Sequence, residues 1–314
     1  MSQSITRGYR PLLRLRSLPA VALGIALAAC DHTETVAPES GIPQEEAVIA
    51  PVEAPALAVR QHGGIAFGMA AQPVAELGDV FSGGKVTVSP NQIRRTLSAV
   101  RSRGGRVVVM LAGSPRHYKD GSGRFSLTKW KARIDRFKGI DFSSYISDGT
   151  VIGHYLIDEP NDKANWNGTT VSPSVLDEMA RYSKRRWPKM ATIVRTHPSY
   201  FKNSPRYVDA AWAQYLSRRG SVKDYIRQSV ADAQRRGLAL VVGLNVIHGG
   251  TPNRTRMTPK QVESYGSALL ASSYPCAFVS WKYSDNHLSG SGMRAAMKTL
   301  RKKAEGRSRK SCRT

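Results

Sequence analysis

The chain has 314 residues, 41% of them apolar, and carries 47 Lys and Arg against 23 Asp and Glu, a formal net charge of +24. That length admits one large α/β domain or two small ones, and the apolar fraction is enough for a sizeable core. The positive excess admits anionic lipid, acidic polysaccharide or nucleic acid as partners. The Lys and Arg residues are scattered along helical patterns such as "RYSKRRW" and in the tail, with no nucleic-acid-binding module between them, so nucleic acid is not expected and a solvated, Arg-biased surface is the simplest account.

The chain opens with Arg7, Arg10, Arg14 and Arg16, followed by the apolar run "LPAVALGIALAA", which ends at Cys30. About a dozen apolar residues is too short to span a bilayer as a mature helix and suits the core of a secretory signal. Leu27, Ala28 and Ala29 directly before Cys30 resemble the lipobox of bacterial lipoproteins. The resemblance implies cleavage before Cys30, lipidation of its thiol and an anchor on the outer side of a bacterial membrane. An ordinary signal peptide with an incidental cysteine is the alternative. Asp31 resembles the inner-membrane retention signal of some enteric bacteria, a lineage-dependent rule that leaves the choice of membrane open.

Residues 30–59 then form an acidic, proline-rich tether: from Asp31 to Val59 there are six acids, four prolines and no Lys or Arg. From Arg60 onward 43 basic residues face 17 acidic ones, so the folded part carries +26. The expected organisation is a signal peptide over 1–29, a disordered tether over 30–59, one domain over 60–306 and a basic tail over 307–314.

Within that domain, short β-branched or apolar runs recur in order: Ile65 to Met69, Arg106 to Leu111, Val151 to Ile157, Ala191 to Thr196, Ala210 to Tyr215, Leu238 to Ile247 and Ala277 to Tyr283. Between most of them lie helical patterns, several opening at Ser, Thr or Asp near a proline and closing at Gly. Strand then helix, repeated, predicts a parallel sheet. Seven strong strands are one short of eight, and "VFSGGKVTV", Val80 to Val88, supplies a weak second strand. A doubly wound sheet would carry a Gly-rich phosphate loop after its first strand, where this chain has "GMAAQP". The expected fold is therefore a single-domain (β/α)₈ TIM-type barrel, with no cofactor.

Barrels of this kind hold their chemistry at the C-terminal strand ends. Those ends carry Met69, Ser114, Asp158 and Glu159, Arg195 and His197, Gln214 and Tyr215, Asn245 and His248, and Trp281, Tyr283 and Asp285. Such a polar, aromatic rim suits a polyhydroxylated ligand, with Trp281 and Tyr283 on one strand face as sugar-stacking platforms or as ordinary packing. The fourth strand ends in Asp158-Glu159-Pro160. This stretch resembles the (β/α)₈ glycoside hydrolases, whose fourth strand ends in a motif of the type Asn-Glu-Pro with Glu as proton donor. The resemblance gives Glu159 the acid/base role, and the rim itself nominates Arg195, His197, Gln214, Tyr215, Asn245, Trp281 and Tyr283 for binding a carbohydrate.

At the seventh strand the chain departs from that family. Retaining members place a nucleophilic Glu there, whereas "GLNVIHGG" offers Asn245 and His248. A glycosidase needs two carboxyl groups flanking the bond, so Asp285 or Asp158 has to supply the second. Asp158 and Glu159 are adjacent, and on a regular strand would face opposite sides, although Pro160 can end the regularity; a cap or an ion pair with Arg195 is the other account of these acids. His62, His117, His154, His197, His248 and His287 show no metal-binding spacing, so no metal is expected. Cys276 precedes the last strand and Cys312 follows the last helix. Both positions fall on the bottom face of a barrel, and an oxidising compartment lets them form a disulfide. The expectation is a lipid-anchored, extracytoplasmic barrel that hydrolyses a glycosidic bond. A non-catalytic carbohydrate- or envelope-binding barrel is the alternative, and a basic surface protein for an anionic polymer a third.

Overall fold

The computed structural model describes residues 63–314; the expected signal peptide, Cys30 and the tether lie outside the described residues. Eight parallel strands close into a barrel in chain order: β1 Ala66–Ala70, β2 Gly83–Thr87, β3 Arg106–Met110, β4 Val151–Asp158, β5 Thr192–Arg195, β6 Ala210–Tyr215, β7 Ala239–Leu244 and β8 Ala277–Ser280. Closure comes from β8 pairing with β1, Ala66 opposite Ala277 through Met69 opposite Ser280. The helices are α1 Ile93–Ser102, α2 Leu127–Asp135, α3 Ser143–Ser147, α4 Pro173–Arg186, α5 Val222–Arg235, α6 Pro259–Leu270, α7 Asp285–Leu288 and α8 Ser291–Glu305. They are not one per strand. Short 3₁₀ turns replace a helix between β1 and β2 and between β5 and β6, while β8 is followed by two helices.

Side-chain alternation along each strand builds two apolar layers. Ala66, Val108, Met110, Tyr155, Ile193, Trp212, Val241 and Val279 fill the barrel, while Phe67, Val107, Val109, Leu156, Val194, Ala213, Leu240 and Phe278 face the helices. The weakly patterned β2 is a real strand whose glycines serve close approach: a Cβ on Gly68 would fall 1.7 Å from the Gly83 carbonyl oxygen. The helix starts are fixed by hydroxyl caps, Ser126 on α2, Ser172 on α4, Ser221 on α5, and a reciprocal capping box between Thr258 and Gln261 on α6.

At the bottom of the barrel Cys276 and Cys312 are joined by a disulfide, with their Cα atoms 5.3 Å apart, and pack with the interior set. The bridge ties the tail to the strand that closes the barrel. Cross-links over loops of this length contribute about 3 to 4 kcal/mol.

Candidate functional site at the barrel mouth

The C-terminal strand ends open into a cleft of about 550 Å³, walled by the ends of β4, β5, β6 and β7 and the loops that follow them. Its architecture starts at Glu159. This residue has φ +40°, the left-handed region that a non-glycine residue enters at a cost of about 1 to 2 kcal/mol. Three hydrogen bonds hold it there: its N–H donates to the Arg195 carbonyl at 3.1 Å, and its own carbonyl accepts from Asp162 N–H at 3.1 Å and from the Trp166 indole at 3.0 Å. The backward turn breaks the strand alternation. Asp158 and Glu159, expected on opposite faces, consequently both reach the same guanidinium.

That guanidinium is Arg195, 5% exposed at the end of β5. One terminal nitrogen donates to Asp158, and the other donates to Gln214 Oε1 and lies 3.2 Å from Glu159 Oε1. Its plane sits 4.8 Å from the centre of the Trp281 ring. Burial opposes the charge, but Asp158, Tyr155 and Glu159 outweigh it and hold the Arg195 guanidinium above its ordinary value. Arg195 is thus a permanent cation that ties β4, β5, β6 and the residue after β8 into one frame.

The candidates divide by strand parity. Gln214, like Trp212 two residues before it, points inward and lines the cleft. Tyr215, the next residue, points outward: its ring packs on Tyr225 and Tyr265 and its hydroxyl donates to the Gly220 carbonyl, so it supports the wall and does not meet a ligand in the cleft. His197 lines the cleft with both ring nitrogens engaged, Nδ1 with Ser199 and Nε2 with Ser229. Since Ser199 N–H also points at Nδ1 and the Ser229 hydroxyl is spent on the Tyr225 carbonyl, Nε2 carries the proton. Burial lowers the His197 imidazole pKa, Asp232 opposes this, and Arg219 and Arg236 add to the lowering. Asn245 and His248 line the β7 side, where Asn245 Oδ1 accepts the His248 N–H at 2.9 Å.

Trp281 and Tyr283 do not share a surface. Trp281 packs with the barrel-interior set, and Tyr283 with the outer layer. The Tyr283 hydroxyl donates to Asp285 at 3.3 Å; burial first, then Glu76 and Asp285, push it up to about 12. Asp285 and Tyr283 therefore belong to a rim between the ends of β1 and β8, and neither lines the cleft that holds Glu159. Of the three expected carboxylates, Asp158 and Glu159 are brought together and Asp285 is not.

Sequence reasoning missed several groups. Lys85 points into the barrel, 5% exposed, with Nζ 3.4 Å from the Met110 sulfur and 5.0 Å from the centre of the Tyr155 ring. Burial pushes the Lys85 amine down to about 8, with Asp158 pulling it up and Arg195 pushing it further down. The Tyr155 hydroxyl is buried beside it, and burial and then Asp158 raise its pKa well above the usual phenol value. Asn161, Asp162, Lys163, Thr196, Arg218 and Arg219 also line the cleft. The signal for Lys85 was present, since a lysine inside a glycine-rich strand has to point either into the barrel or into the helix layer. The loop residues carried none, because their meeting depends on how each loop folds back.

No family model matches the chain, and no curated protein matches it in sequence. Among solved structures it is similar to a β-glucanase from Saccharophagus degradans, 11% identical over 77% of this chain and 88% of that one, with a TM-score of 0.56. Two further structures are an endoxylanase from Clostridium papyrosolvens, 10% identical over 79% of this chain and 74% of that one, TM-score 0.49, and a xylanase from Thermotoga maritima, 14% identical over 77% and 96%, TM-score 0.47. At these identities the likeness is one of fold: the chain is an eight-stranded parallel barrel of the kind that glycoside hydrolases use.

Proposed function

We propose that the barrel mouth binds a carbohydrate and that Glu159 donates the proton that cleaves a glycosidic bond there. The observation that carries this reading is Glu159 itself. A carboxylate is held in a costly backbone conformation by three hydrogen bonds, at the end of the fourth strand, with a side chain 43% exposed toward a polar cleft. Strain of this sort persists where the surroundings over-determine it, and it gathers at working sites. Cleavage needs a proton for the departing oxygen and a second carboxylate to activate water or attack the sugar. Asp158 is committed to Arg195 and an amide, Asn245, follows β7, so the other carboxylate lining the cleft, Asp162, is left for the second role. Replacing Glu159 with Gln keeps shape and hydrogen bonding but removes the transferable proton. Turnover of an unactivated glycoside should fall about 10² to 10⁴-fold with affinity nearly unchanged, whereas undiminished turnover would rule Glu159 out as the acid.

A second reading, binding without cleavage, is favoured by one observation: Arg195 lies against both Asp158 and Glu159, and no carboxylate stands at the end of β7. A glycan that binds wild-type protein, is never cleaved, and loses affinity on His248→Ala but not on Glu159→Gln would establish it. In either case the protein acts outside the cytoplasm, anchored to a bacterial membrane through lipid on Cys30, a proposal supported by the sequence around that residue. A Cys30→Ser protein should lose palmitate label and leave the membrane fraction; unchanged labelling and retention would contradict the anchor.

A further inference from the structure

The hydrogen-bonding capacity of the inner cleft is lopsided. Most of its side-chain acceptors already meet a protein donor: Gln214 Oε1 takes Arg195, Asn245 Oδ1 takes the His248 N–H, Asn161 Oδ1 takes the Thr196 hydroxyl, and both Asp158 and Glu159 lie against Arg195. Two of its donors meet no acceptor. Gln214 is 7% exposed and lines the cleft, yet its Nε2 has no partner, and the same holds for Nε of Arg195, itself 5% exposed. Leaving a buried N–H unpaired costs about 1 to 3 kcal/mol, a cost that a ligand acceptor reaching Gln214 Nε2 would remove.

The rim repeats the asymmetry in charge. The turn after β6, Ser217–Arg219, places Arg218 and Arg219 on the cleft, and the loop after β4 places Lys163 across from them. None of the three has an acidic ion-pair partner among the described residues, and together they set a positive potential on the cleft. The opposing free acid is Asp162, whose carboxylate already accepts the Ala164 N–H at 2.9 Å. A neutral sugar presents hydroxyls that donate as well as accept, and it brings no charge to offset the three cations. A carboxylate accepts only, is planar, and matches the paired N–H groups of guanidinium and amide.

We propose that the ligand of this cleft is an acidic glycan, a chain of hexuronic acid residues whose carboxylate is received by Gln214 Nε2, Arg218 and Arg219. The inference rests on the carbohydrate reading above and names the class of sugar. Asp162 and Glu159 then face the uncharged ring and glycosidic oxygen, and the cationic β6 side sets the orientation of the chain.

The test uses the exported protein, oligogalacturonate and oligomannuronate as probes, and the same oligomers with their carboxyl groups reduced to alcohols. At least one acidic oligomer should bind, and reduction should weaken it tenfold or more. Gln214→Glu keeps an oxygen for Arg195 while replacing the free donor, and it should weaken the acidic oligomer at least tenfold without a comparable effect on the neutral one. Arg218→Gln with Arg219→Gln, on an exposed turn, should do the same with the melting temperature little changed. Equal affinity for the reduced oligomer, or binding of neutral gluco-oligosaccharides alone, would overturn the acidic-glycan proposal and leave the carbohydrate reading standing. Binding of no sugar of either kind would overturn both.

Discussion

Lys85 is an ammonium group inside a barrel, in contact with a thioether and near an aromatic face instead of a carboxylate. Its folded pKa of about 8 lies below the ordinary 10.5, so between those values the unfolded chain binds the extra proton. The destabilisation is complete below about pH 8 and fades as pH rises toward 10.5. Lys85→Met should therefore stabilise the protein by about 1 to 3 kcal/mol at pH 7 and by much less at pH 10.5, measured by urea unfolding at both. Equal stability of the two proteins at pH 7 would show that the amine is better solvated than its burial implies. At this scale the sequence was legible where chemistry follows from position along a strand, as for Gln214 and Arg195. It failed at Tyr283, where an outward turn after the strand sends the side chain to the outer layer, while at Glu159 it placed the residue at the mouth and left open the left-handed turn that brings its side chain beside Asp158.

Among the elements, strands with continuous apolar runs were readable because both faces are covered, one by the barrel interior and one by helices. The second strand read weakly because glycine replaces apolar side chains where β1 and β2 come together, and packing of backbone against backbone leaves little hydrophobic signature. Gly243 in β7 makes the same point: a Cβ there would lie 1.9 Å from the Val279 carbonyl oxygen, which belongs to the neighbouring strand and cannot swing away. Gly243→Ala should destabilise the fold by about 3 kcal/mol or more, at or beyond the usual cost of overpacking, seen as a lowered urea midpoint. A midpoint within experimental error of wild type would mean that β7 and β8 separate more easily than their pairing suggests. The helices were marked by their hydroxyl caps. The segment between β5 and β6, rich in Pro, Ser and Asn, carries no α-helix.

For the molecule as a whole, barrel closure follows from the count of strands, and the location of the site follows from closure, since parallel strands bring all their C-terminal ends to one mouth. What the sequence could not place were pairs of groups contributed by different loops: Asp285 with Glu159, which do not share the cleft, and Lys163 with Arg218 and Arg219, which do. The surplus of positive charge, +24 over the chain, looked like a diffuse property of the surface, yet part of it is concentrated without counter-ions at the mouth. The most direct test of the central claim is a crystal structure of the Glu159→Gln protein with an oligosaccharide that it binds. The account predicts a sugar chain filling the mouth between β4 and β7, with a glycosidic oxygen within about 2.6 to 3.2 Å of the side chain at position 159. A sugar seated elsewhere, such as the groove lined by Arg256, Met257 and Met293, with the mouth empty, would contradict it.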